Sequence, residues 1–234
     1  MKKTHPKTRE SIYLGLPYGT KARLIMAHIN TEAIKNQTAQ IDVEDSMTQF
    51  IKRIGLATKG HNYYAVKDQL ARIAACVISL EYLTEDRSYN TQFSFVKNYD
   101  LWFPKDSRQR VLWPSYIELD TDYLESLMKH AIPLDERALA ALSNNAMALD
   151  IYTWLAQRLH RVDPTRPQFI PWAALKKQFG EGYGRMDNFK SVFRKTLEMV
   201  LLQYRDAKIE EDKNKGFFLK NSPSPIPKSM HLIG

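Results

Sequence analysis

Apolar and polar positions alternate most legibly between Asp135 and Tyr204. A long apolar-striped segment comes first, a short one follows, and two further helical stretches close the region. That pattern predicts helix, strand, helix and helix in order. In the last stretch Phe189, Val192, Phe193, Thr196, Leu197, Val200 and Tyr204 recur at helical spacing, so one face is made for a core. A rotation of about 100° per residue puts Ser191, Arg194, Lys195 and Glu198 on the opposite face, with Lys190 at its flank. Two short strand-like runs follow, Ala207 to Glu211 and Gly216 to Lys220, joined by the polar turn Asp212-Lys213-Asn214-Lys215. A helix presented by a second helix, with a basic two-stranded flap beside it, is the element order of a winged helix-turn-helix, whose last helix enters the major groove.

The first half follows a similar plan. Gly15, Pro17 and Gly19 punctuate a turn before Leu24, Ile25, His28 and Ile29 begin a helical stripe. Gln40 to Val43 alternates as a short strand, and Glu44 to Leu56 is helical in spacing at Met47, Phe50, Ile51 and Ile54. Val66, Leu70, Ile73, Val77 and Leu80 predict a third helix, with Tyr64, Asp68, Ala71, Arg72 and Ala75 outward. Gln92 to Phe103 and Val111 to Leu119 read as a hairpin with a basic tip at Lys105 and Arg108. Asp120 to His130 predicts a short helix capped by Asp120 or Thr121, and Ile132-Pro133-Leu134-Asp135 separates it from the long one.

The predicted fold class is therefore α+β, mainly helical, with two tandem winged-helix domains. The divisions are a basic N-terminal arm over 1–14, an N-terminal winged-helix domain over 15–132, a C-terminal DNA-binding domain over 133–220 and an extended tail over 221–234. The arm lacks periodicity, and the tail, rich in proline and serine, is unsuited to a strand interior.

Charge strengthens the nucleic-acid reading. The 234 residues carry 34 Lys and Arg against 26 Asp and Glu, a formal net charge of +8, which makes polyanions the natural partners. The start, Met1-Lys2-Lys3, runs into Thr4-His5-Pro6-Lys7 without an apolar core, so neither secretion nor a membrane span is expected. The single cysteine, Cys76, lies in an apolar run and is expected to be a small buried thiol. Such usage fits a reducing cytoplasm.

Catalytic constellations are not expected. His5, His28, His61, His130, His160 and His231 never form the His-x-His pair that would hold a metal beside a nucleophilic tyrosine, and Tyr63-Tyr64 is better explained by packing. Glu118, Asp120 and Asp122 bring three carboxylates together, but at the start of a helix, where capping explains them. There is no P-loop and no zinc spacing. Gly180, Gly182 and Gly184 follow a helix where a dinucleotide loop follows a strand; they lead to the N-terminus of the last helix. No catalytic residue, metal site or cofactor is predicted.

Several runs carry a family likeness. GLPYGTKARLIMAHINTEA, SMTQFIKRIGL, KDQLARI, ALDIYTWLAQRLHRV, WAALKKQFG and NFKSVFRKTLEMVLLQY resemble, in this order, plasmid-encoded RepA replication initiators, across roughly Gly15 to Leu219. The most specific pair is ALDIYTWLAQRLH followed by QFG. The chain departs from the family at Thr58-Lys59-Gly60, where Thr-Gly-Gly is more usual, and in its short N-terminus.

The resemblance implies a bacterial, cytoplasmic initiator that binds repeated sites (iterons) in the double-stranded plasmid origin and does no covalent chemistry. It also implies help in opening the origin, recruitment of host DnaA and the replicative helicase, and a monomer–homodimer equilibrium. The alternatives are a winged-helix transcriptional regulator and a basic scaffold or interaction protein. Candidate DNA-binding residues are Lys190, Ser191, Arg194, Lys195 and Glu198 on the last helix, Lys213 and Lys215 in the wing, and Lys67, Arg72, Lys105 and Arg108 in the first half.

Overall fold

The computed structural model of the chain describes residues 2–4, 11–42, 49, 51–52, 60–84, 86–99, 116–212 and 215–226. The chain divides into two compact units, Met1–Ala131 and Ile132–Gly234. Each is mixed helix and antiparallel sheet.

In the first unit β1 (Lys2–Thr4) pairs with β2 (Ser11–Tyr13), so the predicted arm carries a hairpin pairing. Helix α1 (Gly19–Asn36) buries Leu24, Ile25, Ile29 and Ala33, and ends at Gln37, whose φ of 51° is left-handed and whose N–H donates to the Ala33 carbonyl. Strand β3 (Gln40–Asp42) follows. Of the predicted helix from Glu44 to Leu56 only Gln49, Ile51 and Lys52 lie within the described residues, and they are helical. Helix α2 (Gly60–Ala74) packs against α1 and buries Val66, Leu70 and Ile73.

Here the structure departs from the expected pattern. The third helix stops at Ala74, and Val77 and Leu80 belong to β4 (Val77–Leu83), which pairs in full register with β5 (Ser88–Ser94). The β-branched run Val77-Ile78 satisfies strand alternation as well as helical spacing, and the strand wins because a partner strand is present. Cys76, between the two elements, is half-buried and not enclosed. The expected hairpin is divided as well. β5 turns to β4, while β6 (Val96–Tyr99) pairs with β7 (Tyr116–Leu119), which also pairs with β3. Ile41 sits opposite Ile117, and both are buried. Helix α3 (Thr121–His130) is capped as expected, Asp120 accepting from the backbone N–H groups of Asp122 and Tyr123.

In the second unit the long helix expected from Asp135 is two helices and a 3₁₀ turn. α4 (Glu136–Ala141) stops before Ser143, and Asn145 then caps α5 (Ala146–Arg158) by accepting from the Ala148 N–H. α5 buries Leu149, Ile151, Tyr152 and Leu155, a girth of apolar side chains that suits a central helix. After the 3₁₀ turn Leu159–Arg161 come β8 (Gln168–Pro171), α6 (Trp172–Phe179), α7 (Met186–Gln203), β9 (Ile209–Asp212) and β10 (Gly216–Leu219). The sheet order is β8-β10-β9. A side chain at Gly216 would strike the Ile170 carbonyl oxygen, so glycine lets β10 lie against β8.

Both units share one strand plan: the strand lying between helices pairs with the last strand, which pairs with the one before it. The first unit adds the β4–β5 hairpin to this plan. In the second, the tail is not merely extended. Asn221 Nδ2 donates to the Val162 carbonyl, the Ser222 N–H donates to the Leu159 carbonyl, and Ser222 Oγ accepts from the Lys208 N–H. Ser222 is buried.

Candidate nucleic-acid interface

The surface of α7 is set by what holds its other face. Trp172, the first residue of α6, is 3% exposed, and its ring stands edge-on to Phe189, Phe193 and Phe217 at centroid distances of 6.1, 5.5 and 5.0 Å. Phe193 also meets Phe179 at 5.8 Å and Phe189 at 5.5 Å. Edge-to-face rings add to burial, so this cluster fixes the roll of α7 against α6 and the sheet. Gly180 is needed where the chain leaves α6, because a Cβ there would sit 2.7 Å from the Phe189 ring.

With that roll fixed, Asn188, Ser191, Lys195 and Glu198 are exposed in a row along α7. Val192, expected in the core, is 38% exposed and joins their edge with Met199 and Leu202. It lies one turn-flank beyond the stripe that Phe189, Phe193, Thr196, Leu197 and Val200 make.

Arg194 and Lys190 lie on the other edge. The Arg194 guanidinium donates through Nε and its terminal nitrogen to the Glu211 carboxylate of β9, the shortest contact being 2.7 Å, and its carbon lies 5.0 Å from the Trp172 ring centroid. Donation of these hydrogen bonds to the Glu211 carboxylate raises the Arg194 pKa above its ordinary value. Lys190 Nζ lies 5.3 Å from the same ring. Arg194 is thereby drawn to the flap and both cations to the Trp172 ring, away from the centre of the exposed row.

The flap itself is less basic than its turn suggests. β9 presents Glu210, Glu211 and Asp212; Glu210 is bridged to Lys220, which holds its carboxyl below the usual range, and Glu211 is taken by Arg194. Lys215 is exposed at the end of the turn and accepts from the Trp172 N–H through its carbonyl, whereas Lys213 lies outside the described residues. At the other end of α7, Arg185 pairs with Asp187 of the first helical turn, where the negative charge also suits the helix dipole. An open depression of ≈ 570 Å³ beside this end is lined by Ala173, Lys176, Lys177, Gly180, Glu181 and Met186.

In the first unit the candidate residues are differently employed. Arg72 pairs with Asp68 at 2.8 Å, reaches the Leu16 carbonyl at 3.4 Å and covers the Tyr18 ring at 5.3 Å. Gln69 accepts from the Tyr18 N–H, so α2 uses this face to hold the turn before α1. Arg72 is committed within its own unit; of the small residues expected outward with it, Ala75 is buried and Ala71 half-buried. Lys67 is half-buried, and that burial lowers its pKa. Lys105 and Arg108 lie outside the described residues.

Sequence reasoning missed Trp172 and Glu211, which decide where Lys190 and Arg194 point. Trp172 follows Pro171 at a helix start, a detectable signal for an anchor; Glu211 carried none, because its partner is 17 residues away on another element. Among the described residues no group of three or more His, Cys, Asp or Glu is disposed to hold a metal, and no helix is long and apolar enough to cross a membrane.

Comparison with known proteins gives three findings. A family model described as plasmid encoded RepA protein matches residues 16–173, from just before α1 in the first unit to the start of α6 in the second. The chain is similar in fold to domains 2 and 3 of RctB, with a TM-score of 0.58 at 12% identity, over 89% of this chain and 83% of that one. No curated protein matches.

Proposed function

The chain belongs to the family of plasmid-encoded RepA proteins, and from that membership we propose that it initiates plasmid replication by binding repeated sites in the plasmid origin through two tandem winged-helix modules. The observation that carries this reading is the exposed row Asn188, Ser191, Lys195 and Glu198 on α7, set beside a flap whose strands belong to the same sheet as β8. An α-helix fits the major groove, and asparagine, serine and lysine can bond base edges there. Lys190 and Lys215 flank this row and serve the phosphates.

The first unit, whose Arg72 and Lys67 serve the α2 face, contributes less to discrimination and more to backbone contact or self-association. Opening of the origin and recruitment of DnaA and the replicative helicase follow from binding, with no covalent step catalysed by the protein. A basic protein of net charge +8 gains its affinity largely from counterion release.

The test is a titration of an origin fragment and a random duplex of equal length between about 50 and 200 mM salt, where log affinity should fall with a slope of about −0.9 per phosphate neutralised. The origin fragment should be preferred throughout. Equal affinity for the two duplexes, or a flat salt response, would remove the reading.

A further inference from the structure

Glu211 is an acid on the flap of a protein taken here to bind a polyanion, and its carboxylate is bonded at three donor–acceptor pairs to Arg194 of α7. Resting on the DNA-binding reading above, we propose that Glu211 is a specificity-determining residue: it pins Arg194 along Trp172, keeps that cation off the phosphates of arbitrary DNA, and leaves readout to the exposed row of α7. Three observations converge on this role. The pair spans two elements, since Glu211 is on β9 and Arg194 on α7, so it ties flap to helix. The pair is mostly covered, with side-chain exposures of 35% for Arg194 and 29% for Glu211, and Trp172 backs the guanidinium at 5.0 Å. The neighbouring acid Glu210 is already bridged to Lys220, so Glu211 is not needed to balance that lysine.

Electrostatics then set the consequence. A carboxylate at the edge of a DNA-binding face repels every phosphate alike and so lowers affinity for all sequences, while a flexible arginine released there would attract every phosphate alike. Holding the two together cancels both effects and fixes the distance between flap and helix. Discrimination is a difference of affinities, and it widens when the sequence-independent part is kept small.

The experiment compares the full-length protein with Glu211→Gln, which keeps the shape and removes the charge, and repeats the comparison in an Arg194→Ala background. Affinity for the origin fragment and for a random duplex is measured between about 50 and 200 mM salt, alongside thermal melts. Glu211→Gln should bind the random duplex more tightly at low salt and steepen its salt slope by about 0.9. Its affinity should therefore drop about 3.5-fold more than wild type across that range. The ratio of origin to random affinity should shrink, and in the Arg194→Ala background the same substitution should leave the slope unaltered. A uniform loss on both duplexes with an unchanged slope would mean that the pair is only a brace, and would overturn the proposal. Steepening that persists without Arg194 would overturn it too. Should the wild type show no salt-dependent binding to either duplex, the reading it rests on fails, and the proposal with it.

Discussion

Adjacent residues of α7 should respond in opposite ways to the same truncation. Phe193 is 1% exposed and touches four aromatic rings, Trp172, Phe179, Phe189 and Phe217, at centroid distances between 5.5 and 5.9 Å. Replacing it by alanine removes a buried ring from a site that cannot collapse, a loss of about 3–5 kcal/mol. A domain the size of the second unit is stable by only about 5–15 kcal/mol. At roughly 4–8 °C per kcal/mol, its Tm should fall by at least ~12 °C. Val192, next in the chain, is 38% exposed. Val192→Ala deletes two methyl equivalents that are only partly buried, about 1 kcal/mol at ~0.8 kcal/mol per fully buried group. Alanine's better helix propensity returns roughly 0.5 kcal/mol. The net change should be within about 0.5 kcal/mol and the Tm within ~4 °C. Melts followed by circular dichroism, paired with urea titrations, decide the matter. A Val192 variant as unstable as the Phe193 variant would mean that the roll of α7 is wrong, and with it the identity of the exposed row.

Further outcomes can be stated more briefly. Lys195→Ala should reduce discrimination among single-base variants of one origin repeat by about 1–3 kcal/mol, whereas Lys215→Ala should weaken all of them alike, as read by competition binding; the reverse pattern would assign readout to the flap. Burial pushes the Tyr152 and Tyr204 hydroxyls up to about 12 from an ordinary 10, so the folded state favours their neutral forms. Their contribution to stability is complete below about pH 10 and is lost as pH rises from there to about 12. The urea midpoint should decline across that window, less steeply in Tyr204→Phe, and an equal decline in both proteins would discount the tyrosine. Truncation after Lys220 removes the bonds of Asn221, Ser222 and Pro223 to Val162, Leu159, Lys208 and Tyr204. At about 0.5–1.5 kcal/mol net each, the four together should lower stability by roughly 2–6 kcal/mol, and an unchanged urea midpoint would show that the tail is not part of the fold.

What could be read from the chain was whatever is local. The stripe of α7, the cap Asp120 and the two strands β9 and β10 are decided within a turn or a hairpin, and the sequence shows them. The end of α2 is not legible because Val77 and Leu80 continue a helical spacing that Val66, Leu70 and Ile73 begin, while the strand that pairs with them, SYNTQFS, is polar and shows little alternation. Asn145 did offer a capping signal inside the apparent long helix, but the apolar stripe on both sides concealed the break. Its angle along α7 keeps Arg194 off the core stripe, yet its direction depends on Glu211 and Trp172, contacts made only when sheet and helices close. Angular position along a helix is local information; a side chain's partner is not.

The place of β10 between β8 and β9 has a mechanical consequence. Its backbone is bonded on both sides, from Gly216↔Pro171 to Leu219↔Gln168 on one and from Gly216↔Asp212 to Leu219↔Ile209 on the other. Amide exchange should therefore be slow along β10, released only when the unit opens as a whole, and faster along the edge strand β9. At its base the Lys215 carbonyl accepts from the Trp172 N–H, which is also where α6 begins. A force applied to the flap is thus delivered to the first turn of α6 and to the indole that backs Lys190 and Arg194, so that the position of the flap and the attitude of α7 are coupled through one side chain.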